Sequence, residues 1–188
     1  VNLVLVRAGP PDFGDRLAGA FEVPLSPRGV EKARAAAGAV QLLGEAALVY
    51  HPPLGYAAEA GRLVSETLSV KARAAPDLAE PDMGLWQGLT EEELASRHPR
   101  AFEAFSRDAR AVVPPEAEEL DDARERLGRA LLRIRRKHRR EEKRVVVVAG
   151  ELAFPLLVAA AEGKEAPRDL WRARRAGDDV RSFSLDET

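Results

Sequence analysis

Two short runs constrain the fold more than anything else in the chain. Val1–Arg7 reads VNLVLVR and Val145–Ala149 reads VVVVA, apolar with almost no alternation. A strand with one wet face alternates apolar and polar residues; a strand without alternation is covered on both faces. Between these runs the pattern switches repeatedly between strand-like and helix-like segments. That alternation implies crossover connections, a largely parallel sheet and helices on both sides. The expected fold class is α/β, a three-layer α/β/α sandwich with a mostly parallel central sheet.

The remaining elements follow from local signals. Ser26-Pro27 opens a helix that runs to about Leu43, with Val30, Ala33, Ala37 and Val40 on one face. Serine caps the free N–H groups there and proline fits the first turn. Ala47–His51 is a second strand, stopped by Pro52-Pro53, and Leu54–Leu68 is a helix. Val70–Ala74 reads as a short edge strand. Thr90 and Glu93 form a capping box. Leu120–Glu142 is a long helix with Asp121 and Asp122 at its start and Arg139, Arg140 and Lys143 at its close, the polarity its dipole favours. Leu152 to Glu162 is a further helix and Val180–Leu185 a last strand. Residues 1–188 are expected to form one domain, with 83–118 a helical cap insertion over a crevice at the carboxyl ends of the strands. Ligands of open α/β sheets bind in such a crevice.

Composition narrows the function. The chain has 188 residues, no cysteine, and a formal charge of −2. Disulfides, zinc–thiolate sites and cysteine nucleophiles are excluded. The balanced charge argues against a dedicated nucleic-acid binder. The absence of cysteine and of a basic leader fits a cytoplasmic protein. The most apolar stretch, Val145–Ala161, is broken by Glu151 and Pro155 and falls short of the ~20 residues of a membrane span. One Asn, two Gln and one Met fit a thermophile or a GC-rich genome. No phosphate-cradling glycine loop and no cluster with metal-ligand spacing appears, so no cofactor and no metal is expected.

Six blocks in order resemble the histidine phosphatase superfamily, the phosphoglycerate mutase-like fold. They are LVLVRAG (Leu3–Gly9), PLSPRGVEKA (Pro24–Ala33), VYHPPLGYAAEA (Val49–Ala60), LAEPDMGLWQGLTEEEL (Leu78–Leu94), PPEAEEL (Pro114–Leu120) and VVVVAGEL (Val145–Leu152). The resemblance implies a pocket in which one His attacks phosphorus, two Arg and a second His hold the phosphoryl oxygens, and an acid protonates the leaving group. Carried over position by position, Arg7 matches the first Arg and Glu80 the acid. Ala8 stands where the nucleophile belongs, Tyr56 where the second Arg belongs, and Gly150 where the second His belongs, followed by Glu151. Lys32 replaces the usual Gln of the first-helix signature.

A methyl group accepts no phosphoryl group. With Glu80 and Glu151 at the mouth, the former anion trap is expected to be neutral or repelling. The chain therefore reads as a degenerate, catalytically inactive member, a pseudoenzyme that acts by binding a small molecule or a protein. The expected crevice is lined by Arg7, Ala8, Gly9, His51, Tyr56, Glu80, Gly150 and Glu151. Arg7 is expected to meet a carboxylate of Glu80, Glu151 or Asp12, with Tyr56 available to stack on it. Two other readings stay open. One is a phosphatase or phosphomutase working through His51, Glu80 and Arg7. The other is an interaction protein using the basic run Arg133–Arg140, helped by Arg172, Arg174 and Arg175. The family resemblance also allows a homodimer.

Overall fold

The computed structural model of the chain describes residues 2–184. Its elements run in the order β1 (Asn2–Arg7), α1 (Pro27–Leu43), β2 (Ala46–His51), α2 (Gly55–Leu68), β3 (Lys71–Ala74), α3 (Glu91–Arg97), α4 (Pro99–Arg107), α5 (Leu120–Lys137), β4 (Arg144–Ala149), α6 (Ala153–Ala161), α7 (Leu170–Ala173) and β5 (Val180–Ser184). The sheet order is β3-β2-β4-β1-β5. All neighbours are parallel except β5, which pairs antiparallel with β1. Val1 and Leu185, expected at the ends of the first and last strands, lie outside the described residues.

The unbroken apolar runs serve two cores. Leu3 and Leu5 of β1 and Val145 and Val147 of β4 face the core under α5 and α6. Val4, Val6, Val146 and Val148 face the opposite core, under α1 and α2. These residues are almost wholly buried. A period of two with both sets apolar removes the alternation. After β1 the chain leaves toward β2 on the α1 face, and after β4 it leaves toward β5 on the other. The strand order therefore reverses between β1 and β4, and their carboxyl ends frame the crevice.

One local expectation shifts. α5 stops at Lys137, not Glu142, because His138 turns inward and its Nε2 shares a hydrogen bond of 2.9 Å with Tyr50 Oη. Segment 83–118 sends Trp86, Leu94, Phe102 and Phe105 into the core, where Trp86 and Phe105 pack edge to face. Among the described residues, no helix is long and apolar enough to cross a membrane.

Candidate functional site

Arg7 is the last residue of β1, and its side chain is 7% exposed. A buried guanidinium needs acceptors in its plane. Nη1 donates to the carbonyl of Arg174 at 2.9 Å and Nη2 to that of Ala176 at 2.6 Å. Asp179 Oδ1 lies 3.6 Å from Nε. Burial lowers the Arg7 pKa, opposed by the charges of Asp179 and Glu151. The expected ion pair therefore exists with a different acid: Asp179, not Glu80, Glu151 or Asp12. Tyr56 does not stack on Arg7; the ring of Phe154 does, 4.7 Å from the guanidinium carbon. The segment that holds Arg7 is remote in sequence, which is why no local motif announced it.

Tyr56 and Glu80 face each other across the space beside Gly150. Tyr56 Oη donates to Glu80 Oε2 at 3.2 Å and accepts the Glu151 N–H at 2.7 Å. Glu80 also accepts the N–H groups of Leu152 at 3.1 Å and Ala153 at 2.7 Å, the start of α6. Burial pushes the Glu80 carboxyl up to about 7, against the pull of those two N–H groups. The same burial and the nearby carboxylates raise the Tyr56 phenol well above its ordinary value. Gly150 sits under this pair. A Cβ there would lie 2.4 Å from Glu80 Cδ and 2.6 Å from Tyr56 Oη. The residues at 56, 80 and 150 thus fit one another: tyrosine and glutamate fill the room a side chain at 150 would need.

Glu151 is bound from the other side. Its Oε2 lies 3.1 Å from Arg174 Nη1 and its Oε1 3.4 Å from Arg175 Nε. Arg174 rests on the Trp171 ring at 4.0 Å. With Arg7 and Ala8 these groups line a cleft of about 380 Å³, joined by Arg28 and Lys32 of α1 and by Asp15 and Asp179. Lys32 Nζ is 2.7 Å from Asp179 Oδ2. Five cationic side chains face three carboxylates there, so the expectation of a neutral or repelling mouth is corrected. The carboxylates were foreseen in part; Arg28, Lys32, Arg174, Arg175 and Asp179 were not. The one available signal was the spacing of Arg28 and Lys32, which puts both on one face of a helix.

The residues expected around one crevice do not share one. Arg7, Ala8 and Glu151 line the first cleft. Tyr56 and Glu80 line a second, of about 220 Å³, with Gly19–Glu22 and Pro52–Ala57. Gly9, Gly150 and His51 line neither. Gly9 is pressed against α1: a Cβ on it would lie 2.5 Å from Gly29 Cα. His51 is buried, with Nδ1 2.6 Å from the Pro52 carbonyl, and burial lowers its pKa. It packs against Gly61.

The family model for the histidine phosphatase superfamily, branch 1, matches residues 3–184. The "Bifunctional protein" of Mycobacterium tuberculosis is 31% identical over 135 residues, which span 71% of this chain and 37% of that protein. A metal-independent phosphoserine phosphatase of Arabidopsis thaliana is 30% identical over 155 residues, 80% of this chain and 65% of that one. The chain thus spans less than two thirds of the length of these curated relatives. Among solved structures, a mycobacterial glucosyl-3-phosphoglycerate phosphatase superposes with a TM-score of 0.75 at 26% identity, covering 88% of this chain and 83% of that one. YhfR of Bacillus stearothermophilus gives 0.77 at 25% identity, covering 90% and 83%.

Proposed function

This chain belongs to the histidine phosphatase superfamily, and on that premise we propose that it is a non-catalytic member that works by binding. The observation that carries the reading is the Tyr56–Glu80–Gly150 arrangement. Family chemistry begins with an imidazole attacking phosphorus, and position 8 is an alanine. It continues with cationic holders around the equatorial oxygens, and two of those positions are Tyr56 and Gly150. Loss of even one preorganised donor of that kind typically costs about 100- to 1,000-fold in rate. The space for a restored side chain at 150 is taken by Glu80 and Tyr56. A histidine substitute is also wanting, since His51 is buried against its own turn.

What remains is a cleft with a surplus of positive charge. Arg28 is exposed and has no ion-pair partner among the described residues. Lys32 and Arg175 are half-neutralised by single carboxylates. Such a site favours a small organic anion without supplying a nucleophile. The decisive experiment measures release of inorganic phosphate from p-nitrophenyl phosphate and from sugar phosphates. Turnover equal to a heat-killed control is expected. Turnover that rises with purified protein, and that falls in Glu80→Gln or Arg7→Ala, would overturn the reading.

The cation-rich cleft also favours a second reading, a phosphatase with a non-standard centre. In that case Arg28, Lys32 and Arg175 would hold the phosphoryl oxygens and the acid would come from the carboxylates of the same cleft, Asp15, Glu151 or Asp179, since Glu80 lines the other one. His51 has no part in it.

A further inference from the structure

β3 is the outermost strand of the sheet, and all four of its residues, Lys71–Ala74, are exposed. Its edge presents backbone N–H and C=O groups with no strand beyond them among the described residues. Lys71 stands in register with Leu48 and Arg73 with Tyr50. Neighbours in register share a face, so both cations lie on the side of the sheet that α5 covers.

The end of α5 meets them there. His138, bonded to Tyr50, has its pKa lowered by burial and by the charges of Lys137 and Arg73, while Glu141 acts the other way. Cations far apart in sequence thus converge on one ring. Nearby carboxylates are engaged elsewhere: Asp77 pairs with Arg133 and Glu45 with Lys143. Lys71, Arg73, Arg136, Lys137, Arg139 and Arg140 are exposed and make no ion pair with any described residue. Beside the strand runs a groove of about 280 Å³, lined by Tyr50, Ala75, Pro76, Ala130 and Ile134 together with Lys137 and the Arg133–Asp77 pair.

We propose that this surface binds an acidic, extended segment of another protein, which adds a strand to β3 and lays an apolar side chain in the groove. Main-chain hydrogen bonds at an open edge hold such a segment, and alternate side chains give it specificity. Its acidic residues answer the unpaired cations. A second copy of this chain is a poor occupant, because antiparallel pairing of two β3 strands would oppose Lys71 and Arg73 to each other. Nucleic acid also fits poorly. Phe21, the one aromatic residue among the described residues with an exposed side chain, lies in the loop after β1, and the rings on this face, Tyr50 and His138, are hydrogen-bonded to each other, the first of them buried. The inference is independent of what the clefts do.

A capped, fluorescein-labelled peptide of alternating Glu and Val tests it, by anisotropy at low salt with the full chain and by amide hydrogen exchange. Saturable binding is expected, weakened at least about tenfold in Lys71→Glu/Arg73→Glu. Exchange at residues 71–74 should slow in the complex. Both positions are exposed, so the variant's thermal melt should match the parent. No saturable binding, equal binding by the variant, or unchanged exchange at 71–74 would overturn the proposal. So would tighter binding of an oligothymidylate, or a dimer that the double variant dissolves.

Discussion

At the scale of single residues, the site is governed by one steric fact. Tyr56 and Glu80 fill a space over Gly150 that cannot take a third side chain. Gly150→Ala puts a methyl group against a carboxyl and a phenol whose hydrogen bonds hold them in place. Overpacking of that kind costs about 1–3 kcal/mol, and urea denaturation should show it. The penalty should shrink when Tyr56→Phe is added, a coupling that a double-mutant cycle measures. Tyr56→Phe alone leaves the Glu151 N–H without its acceptor and should cost about 1–3 kcal/mol. The candidate positions 56, 80 and 150 could be named from the sequence, because the blocks around them resemble the family's. Their mutual fit could not be read there, since it depends on distances between segments that share no local pattern. The same holds for Arg7: its residue type was plain, but its carbonyl partners come from the far end of the chain.

At the scale of elements, the strands were readable because burial on both faces leaves a mark in the sequence. Helix starts were readable for a related reason: caps are local chemistry. Ser26 Oγ accepts the Gly29 N–H at 3.0 Å and donates to the Pro10 carbonyl at 2.7 Å. It therefore caps α1 and ties it to the loop beside the first cleft. Ser26→Ala should cost about 1 kcal/mol, visible as a lower thermal midpoint. Any anion held through Arg28 and Lys32 should bind more weakly in that variant, by calorimetric titration. The end of α5 was misread because its charges fit a helix terminus at either place. Only the Tyr50–His138 contact decides where the turn falls. The residues after α7 were equally opaque. They form no repeating pattern, yet they supply both carbonyls for Arg7 and three charged groups of the cleft.

For the whole molecule, one buried acid should give stability a distinctive pH dependence. Glu80 rises from 4.5 to about 7 on folding, so the native state holds its proton more tightly than the unfolded chain does. That contribution is complete below about pH 4.5 and declines as pH rises through 7, by up to about 3 kcal/mol. Urea midpoints across this range should fall more steeply for the parent than for Glu80→Gln. Identical slopes would show that the carboxyl titrates normally.

The antiparallel pairing of β5 with β1 sets Ser184 directly beside Asn2. That corner is at the far end of β1 from Arg7 and both clefts. A label carried at position 2 would sit well clear of anything bound in the clefts.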